Sequence, residues 1–505
     1  MKRDTWFIPF VVSITVLVSG IILWDISPMV RGPEQWRWEL LPQRSPGVIL
    51  FSIVTFVLFL VVWYWIGRRL PSQPSRRQAW LIRGLLYLAA LLIQLSILFF
   101  YRANPADILY ERSASNWGGS GYFTAAQEIE DLPTFLREYP QRMPTSGYTS
   151  HVRTKPPGIV LIYWGSSQIM QSVPAITKPV AAWARGISTG DGRFLSMRDH
   201  YLAGNALVSL LAPLISALII WPAYGIASRR WGALAGWIAA GLVALIPARL
   251  VFFPLFDTIY PFFSLLAFYL ADTGLRRRQR AFFLVAGILV SIMSFMSPTN
   301  FVVAVIIGAY MIIMTLQEGN GRSSARILIA DFILFAVGVF SVWLLYWLLY
   351  GVSVFEISRA IMEYDIYQGR GYWYWLVGNL FDFFILAGLP VMILAPSWPF
   401  LNRHTKLPKA IGALVISFWL SLLLLNFSGL IRAETGRIWL MMAPYPAVMA
   451  SIWLKYVSFE ADVNQNVLEA RLLRSGLWIM MATALLALAI ALNWHVIRME
   501  WQAIR

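Results

Sequence analysis

Long apolar runs alternating with short polar stretches dominate this chain. Many of the runs reach the roughly 20 residues that a helix needs to cross a bilayer. The chain is 58% hydrophobic and 13% charged, whereas soluble domains carry about a quarter charged residues. The pattern predicts an all-α polytopic membrane protein whose helices face lipid instead of enclosing one aqueous core.

The apolar runs divide into about thirteen predicted transmembrane helices, each long enough or nearly long enough to span a bilayer. In chain order they are residues 6–24, 47–67, 81–101, 199–227, 232–251, 255–273, 281–296, 301–316, 327–350, 375–396, 410–427, 438–456 and 477–494.

Two further helices are predicted between the third and fourth spans. Residues 157–173 form a shorter apolar run that Gly165 and its polar neighbours interrupt. Such short runs are more often interfacial than spanning, so we interpret this one as a juxtamembrane helix. Residues 124–139 predict a second, more polar helix in the same loop.

The rest of the chain is organised around one polar loop, residues 102–198, which no bilayer could hold. It carries the acids Asp107 and Glu111 and the basic residues His151 and Lys155. A membrane protein with so long a loop beside its helices is expected to use it for binding or chemistry.

Charge sets the predicted orientation. The formal net charge is +16, and arginines cluster in short connections at 68–69, 76–77 and 276–280. Short basic loops stay in the cytoplasm, so the N-terminus is predicted inside and the 102–198 loop and the C-terminus outside. The positive charge is therefore attributed to orientation and anionic lipid, and no nucleic-acid partner is predicted.

With this orientation, uncommon ionisable residues fall on the outer face. Such groups are costly near the bilayer unless they are paired or functional. The candidates are Arg249, Asp257, Asp382, Arg432, Glu434 and Arg437.

Plainer roles stay open for some of these candidates. Asp382 could pair with an arginine of a neighbouring span, Arg432 and Glu434 could form a surface ion pair, and His151 could be a solvated loop residue.

Other chemistries find little support in the sequence. There are no cysteines, which excludes disulfides and thiolate chemistry. No Walker-type phosphate loop or HExxH motif is present. No cofactor is predicted with certainty, although loop acids could hold a single divalent cation.

Residues 151–164, HVRTKPPGIVLIYW, resemble a segment of bacterial membrane glycosyltransferases of the GT-C class, the superfamily of protein O-mannosyltransferases and aminoarabinose transferases. Weaker similarities to that superfamily are GYFTAA (121–126), ASRRWG (227–232), FPLFDTIYP (253–261) and RAETGRIW (432–439). The resemblance covers about residues 81–505, so residues 1–80 would be two additional N-terminal transmembrane helices.

The resemblance implies a GT-C-like bundle in a bacterial cytoplasmic membrane. It also implies transfer of a sugar, with inversion, from a polyprenyl-phosphate-linked donor to an extracytoplasmic glycan, lipid or protein. A loop carboxylate would be the general base. In the family an aspartate precedes the tyrosine of the YxxA pattern, but residues 116–120 hold no acid. We therefore assign the base to Asp107 first and Glu111 second.

The remaining candidates complete the substrate site that the resemblance implies. Lys155 and Arg437 would hold phosphate, while Asp257 and Glu434 would orient the sugar or an arginine. The other predicted substrate-binding residues are Tyr122, His151, Arg249, Asp382 and Arg432.

Two alternatives from other functional classes stay open. A transporter or flippase of lipid-linked saccharides would show two related halves and paired charges near the midplane, and the sequence shows neither. A non-catalytic subunit of a larger membrane complex is kept open by the missing loop acid.

Overall fold

A computed structural model describes most of the chain. The described residues are 6–34, 36–40, 46–100, 105–114, 121–145, 147–187, 196–318, 322–364, 369–395, 409–457 and 465–495. Nearly all of them are helical, and the strands among them are β1 (Glu39–Leu40) and β2 (Trp494–His495), which pair antiparallel.

The helices fall into two groups along the chain. The first group, up to the end of the polar loop, comprises α1 (Phe7–Leu23), α2 (Pro46–Gly67), α3 (Arg76–Leu98), α4 (Pro105–Ala114), α5 (Tyr122–Ala126), α6 (Leu132–Thr145), α7 (Ser150–Arg153), α8 (Gly158–Gln171) and α9 (Pro174–Ile187).

The second group contains most of the long apolar helices. It comprises α10 (Asp199–Ala217), α11 (Ile220–Trp231), α12 (Ala233–Ala244), α13 (Pro247–Val251), α14 (Tyr260–Arg277), α15 (Ala281–Met296), α16 (Val302–Glu318), α17 (Arg322–Tyr350), α18 (Val354–Glu363), α19 (Tyr372–Leu394), α20 (Lys409–Phe427), α21 (Thr435–Ile438), α22 (Pro444–Val457) and α23 (Gln465–Asn493). Short 3-10 helices lie at Pro28–Arg31, Phe256–Ile259, Pro298–Phe301 and Leu440–Met442.

The protein is an all-α polytopic membrane protein. In the described part of the chain, eight helical segments are long and apolar enough to cross a bilayer, and Phe7–Leu23, Ala233–Ala244 and Ala281–Met296 are shorter apolar helices. Only 22% of the Ile49–Gly67 window is buried, against 67% of Val467–Asn493. Helix α2 is therefore peripheral and presents apolar side chains outward, whereas α23 is central. The full count of thirteen spans stays a prediction.

Three predicted helices are interrupted. The predicted span 232–251 breaks between α12 and α13, because Pro247 lacks the N–H that a continuous helix would use. The predicted span 438–456 contains the 3-10 turn Leu440–Met442 before α22 begins. The predicted helix 124–139 is two helices, since Asp131 caps the second by accepting from the Thr134 N–H at 2.9 Å.

The N-terminal segment packs on the main bundle. Helix α1 lies along α23, and the Phe7 ring is 5.4 Å from that of Trp453. The pairing of β1 with β2 ties the first loop to the end of α23. This arrangement carries Trp38, 6% exposed, into the core. The boundary between residues 1–80 and 81–505 stays a prediction.

Three helical segments, each with one end beside the helices of the polar loop, run along the bundle. Helix α3 leads to α4, α10 begins beside α8 and α4, and α14 begins after the 3-10 turn that carries Asp257. Helices α10 and α11 together make one apolar segment, Asp199–Trp231. Residues at the loop-side ends of these segments therefore lie at one end of the bundle, and residues at their other ends lie at the opposite end of the bundle.

Candidate functional site

Five charged or titratable side chains from three distant segments meet at one end of the bundle; we call them the ionic cluster. Lys155 Nζ is 3.1 Å from Asp257 Oδ1. Arg437 Nε is 3.9 Å from Asp257 Oδ2, and an Arg437 terminal nitrogen is 2.6 Å from Glu434 Oε2. The same nitrogen is 3.4 Å from His151 Nδ1. The polar loop, the turn after α13 and residues 434–437 at α21 thus build one site.

The ionic cluster is poorly solvated. The side chains of Arg437, Asp257 and Lys155 are 10%, 12% and 13% exposed. Partial burial raises the free-energy cost of an unpaired ion. Each cation in the cluster therefore needs a carboxylate partner. Asp257 and Glu434 supply the two negative charges, so the site holds two cations in fixed positions at low net charge.

His151 contributes no charge near neutral pH. Burial, together with the positive charges of Arg437 and Lys155, lowers the pKa of His151 well below its ordinary value. The neutral imidazole can therefore accept a hydrogen bond from Arg437 through Nδ1. The orientation of the guanidinium is set in part by this contact.

Tyrosines close one side of the cluster. A small cavity of about 10 Å³ is lined by Ser113, Tyr122, Tyr163 and Asp257 together with residues 254–256. Burial raises the pKa of Tyr122 well above its ordinary value, and the Asp257 charge adds to this effect. The phenol stays protonated and able to donate. The cavity has room for about one water, so a larger ligand would have to separate these side chains.

The turn that carries Glu434 and Arg437 has an unusual backbone. Ala433 and Glu434 adopt φ values of 86° and 54°, a left-handed region that is unfavourable for residues other than glycine. Asn379 of α19 supports this turn, since its Oδ1 accepts from the Ala433 N–H at 3.1 Å and its Nδ2 donates to the Ile431 carbonyl at 2.8 Å.

Asp382, one turn along α19, supports the same turn. Its Oδ2 accepts from the Gly436 N–H at 2.8 Å and from Thr435 Oγ1 at 3.1 Å. Its Oδ1 accepts from Trp38 Nε1 at 3.2 Å. Asp382 therefore positions the start of α21, the short helix that carries Arg437, without itself belonging to the ionic cluster.

Hydrogen bonds to the backbone near Lys155 and Asp257 also fix the positions of these two residues. The Tyr139 hydroxyl donates to the Lys155 carbonyl at 3.0 Å, fixing the backbone between α7 and α8. The fully buried Arg112 of α4 donates to the carbonyls of Val251 and Phe253. Arg112 thereby fixes the segment that leads to Asp257.

The structure gathers six of the eleven predicted site residues around one point: Tyr122, His151, Lys155, Asp257, Glu434 and Arg437. Their roles in substrate binding remain predictions. Residues 116–120, where this sequence lacks the aspartate of the family pattern, lie outside the described residues.

Arg249 and Arg432 lie elsewhere. Arg249 is fully buried and donates to the Ala244 carbonyl at 2.7 Å and to Ser216 Oγ at 3.4 Å, so it joins α13 to α12 and α10. Arg432 donates to the Arg370 carbonyl at 2.7 Å, and Arg370 donates back to the Arg432 carbonyl at the same distance. Arg432 thus secures the segment before α19.

The predicted bases Asp107 and Glu111 both lie on α4. Asp107 is in its first turn, and Glu111 is 3% exposed. Two residues after Glu111, Ser113 lines the cavity beside Asp257, and its carbonyl accepts from the Tyr163 hydroxyl at 3.0 Å. Helix α4 therefore ends at the site, which puts Glu111 nearer to the cavity along the helix than Asp107.

Sequence reasoning missed several residues that support the site. Trp38, Arg112, Tyr139 and Asn379 act through contacts to backbone or to Asp382. An arginine and an asparagine within or beside apolar helices are sequence signals that could have drawn attention. A tryptophan near a span end is typical of an interfacial residue and gave no such signal.

The described residues contain no group of three or more histidine, aspartate or glutamate side chains that could hold a metal ion. The described residues therefore offer no ligand set for the divalent cation that the sequence left open.

Comparison with known proteins gives distant structural similarity. The crystal structure of an Archaeoglobus fulgidus oligosaccharyltransferase in complex with Zn and sulfate has a TM-score of 0.41 at 15% identity, over 81% of this chain and 53% of that one. The same protein tethered to an acceptor peptide containing the NVT sequon gives 0.41 at 15%, over 80% and 55%. Its apo form gives 0.40 at 14%, over 81% and 56%.

This chain spans about half the length of the solved structures it matches. No protein-family model matches the chain, and no curated protein sequence matches it.

Proposed function

We propose that this protein transfers a glycosyl group from a polyprenyl-phosphate-linked donor to an acceptor outside the cytoplasm. The observation that carries the proposal is the ionic cluster, in which Lys155, Asp257 and Arg437 come from three sequence-distant segments to one poorly solvated point. The resemblance of residues 151–164 to GT-C glycosyltransferases indicates the chemical class. An anionic carrier lipid suits such a site because its phosphate would arrive from the bilayer.

Lys155 and Arg437 are the proposed phosphate ligands. Arginine can grip two phosphate oxygens at once, and lysine adds a compact positive charge. Asp257 pairs with Lys155 at 3.1 Å and Glu434 with Arg437 at 2.6 Å. An entering phosphate would compete with the carboxylates for the same donors, and it would also require the tyrosine-lined cavity to open.

Stabilising the leaving phosphate is the chemical role of these cations. As the sugar–phosphate bond breaks, negative charge grows on the bridging oxygen. Fixed positive groups in a poorly solvated site lower the energy of that charge. The protonated Tyr122 could donate a hydrogen bond to the same oxygens.

The general base is assigned to α4. Both oxygens of Asp257 face cations, so Asp257 is better suited to hold Lys155 and Arg437 than to accept a proton. Glu111 and Asp107 lie on the helix that ends at the cavity. A carboxylate there would take the proton of the acceptor group as that group attacks the anomeric carbon from the face opposite the phosphate, inverting its configuration.

The assignment is tested with purified full-length chain and radiolabelled polyprenyl-phosphate sugars. Glu111→Gln and Asp107→Asn are compared with Glu130→Gln, which changes an exposed loop acid. Loss of the base should lower the transfer rate by about 100-fold or more, with the donor affinity nearly unchanged. Wild-type transfer rates in both α4 variants would remove this base assignment, and an absence of transfer by the wild-type chain with every donor would contradict the proposed activity.

A further inference from the structure

A second polar cavity lies at the other end of the bundle. It has a volume of about 440 Å³, within the range of ordinary ligand pockets. Its lining includes Gln73 from the α2–α3 connection, Arg83 from α3, Ser228 and Arg229 from α11, and Tyr269 from α14.

The position of this cavity follows from the helices that form it. Helix α3 runs from Arg83 toward α4, and α14 runs from the turn at Asp257 toward Tyr269 and beyond. Tyr269 is the tenth of the eighteen residues of α14, and Arg83 lies fifteen residues before the end of α3. At 1.5 Å per residue, these positions lie about 14 Å and 22 Å from the helix ends that approach the ionic cluster, so the cavity lies toward the opposite end of the bundle.

Among the described residues, aromatic rings and a backbone carbonyl hold Arg83 in place, and no carboxylate does so. Its guanidinium carbon is 4.7 Å from the Trp221 ring centroid, 5.2 Å from that of Trp80 and 5.6 Å from that of Tyr224. Its Nε donates to the Ala79 carbonyl at 2.8 Å. Such aromatic neighbours stabilise a guanidinium and orient it, and they leave its terminal nitrogens available to a ligand.

Arg229 is held in a similar way. Its guanidinium carbon is 3.9 Å from the Tyr269 ring centroid. Its terminal nitrogens donate to the Tyr269 hydroxyl and, at 2.7 Å, to Thr273 Oγ1. These partners are neutral, so among the described residues the guanidinium of Arg229 has no carboxylate in direct contact, although the Asp272 charge acts on it from nearby.

The nearby carboxylate is engaged by another cation. Asp272 forms a salt bridge with Arg230 and accepts from the Tyr310 hydroxyl at 2.8 Å. Across the residues that the structure describes, neither Arg83 nor Arg229 forms a salt bridge. Arg276 and Arg277 add positive charge close to Arg229. The cavity is therefore strongly positive, with two oriented guanidinium groups on its wall.

We infer that this cavity binds a phosphate-bearing anion, the phosphodiester headgroup of an anionic phospholipid or a soluble phosphate. Two oriented guanidinium groups suit the planar, paired recognition of phosphate oxygens. Basic pockets between transmembrane helices at the membrane surface are typical of headgroup binding. Orientation signals alone require only solvated arginines near helix ends. Arg83, in contrast, is half-buried among three aromatic rings, and the more exposed Arg229 packs on the Tyr269 ring at the same cavity.

The test measures binding of short-chain phosphatidylglycerol and phosphatidylcholine to the purified full-length chain by native mass spectrometry. The variant is Arg83→Gln/Arg229→Gln. The matched control, Arg68→Gln/Arg77→Gln, removes two exposed charges on either side of the α2–α3 connection but outside the cavity. Should the double variant not fold, Arg229→Gln alone alters a side chain at the cavity mouth that is bonded only to Tyr269 and Thr273 among the described residues.

The wild-type chain is expected to prefer the anionic lipid. The cavity variant should bind it about tenfold more weakly or worse, as expected for losing charge-assisted hydrogen bonds, while the control stays within about twofold. Competition by millimolar inorganic phosphate would identify a soluble anion as a ligand, and its failure to compete would identify the lipid headgroup. Equal binding of both lipids by the wild-type chain, or equal weakening in both variants, would overturn the inference.

Discussion

Trp38 donates from its indole Nε1 to Asp382 Oδ1 across 3.2 Å, although 344 positions separate the two residues in the chain. The other Asp382 oxygen accepts from Thr435 and Gly436. The first loop of the protein is therefore linked, through one carboxylate, to the turn that carries Glu434 and Arg437. This relationship makes the N-terminal helices part of the site's support.

A double-mutant cycle on Trp38→Phe and Asp382→Asn measures that link. A hydrogen bond to a charged group contributes about 1.5–3 kcal/mol, and residues in direct contact show coupling energies of about 0.5–3 kcal/mol. We expect a coupling of about 1–2 kcal/mol in the free energy of unfolding in detergent. Trp24→Phe, which changes a Trp side chain that is 73% exposed, should be close to neutral. Strictly additive effects of the two substitutions would show that the contact does not stabilise the protein.

The juxtamembrane helix α8 offers a second test, because its two glycines differ sharply in surroundings. A Cβ added at Gly158 would lie 2.4 Å from the Phe295 carbonyl oxygen, whereas one at Gly165 would meet nothing within 4 Å. Gly158→Ala should therefore push α8 away from the end of α15 and displace the adjacent Lys155. Overpacking of this kind costs about 1–3 kcal/mol.

Gly165→Ala is the matched control on the same helix. It should be neutral or stabilise the protein by up to about 1 kcal/mol, since alanine restricts the unfolded chain. Thermal unfolding and sugar transfer are both measured. Equal behaviour of the two variants would show that the close approach of α8 to α15 does not position Lys155.

The pH dependence of stability tests the environment of His151. Burial and the adjacent cations hold the pKa of His151 below its ordinary value in the folded chain, while the unfolded chain keeps a pKa of about 6.5. Below about pH 6.5 the unfolded chain therefore binds more protons, and stability falls as the pH falls toward the folded-state pKa. Above about pH 6.5 this contribution is fully present.

His151→Gln removes the titrating group. The variant should lack the part of the decline between about pH 6.5 and pH 5 that comes from this histidine, which is at most about 1.4 kcal/mol per pH unit for one proton. Thermal unfolding of both proteins is compared from pH 7.5 to pH 5. Parallel curves for the two proteins would mean that His151 titrates as it does in the unfolded chain.

Much of the fold could be predicted from hydrophobic patterning. The predicted span 281–296 coincides with α15 (Ala281–Met296), because apolar residues fill it and polar turns flank it. The break at Pro247 was missed, since apolar residues continue on both sides and only the missing N–H of proline interrupts the helix. Patterning reports which residues avoid water, and it carries little information about where a buried helix bends.

The candidate site was less predictable. Arg437 could be singled out because charge beside a membrane is uncommon, and His151 and Lys155 because they lie in the segment that resembles GT-C glycosyltransferases. Their proximity depends on which turns meet, and no local pattern encodes that. Arg249 drew attention for the same reason as Arg437, yet it joins buried helices. Asn379 and Arg112 could have drawn attention as polar residues, but they bond to backbone carbonyls and N–H groups. Such groups are present at every position, so no sequence pattern shows which segment each residue supports.

The central claim is that the ionic cluster binds the phosphate of a carrier lipid, and the affinity of the purified full-length chain for polyprenyl phosphate tests it most directly. Arg437→Gln is compared with Arg142→Gln, which removes the same charge from an exposed pair with Glu138; both variants are first shown to be folded by thermal unfolding. Loss of the paired contact to phosphate should weaken binding about tenfold or more for Arg437→Gln and by less than about twofold for Arg142→Gln. Equal affinity of the wild-type chain and folded Arg437→Gln for polyprenyl phosphate would contradict the account.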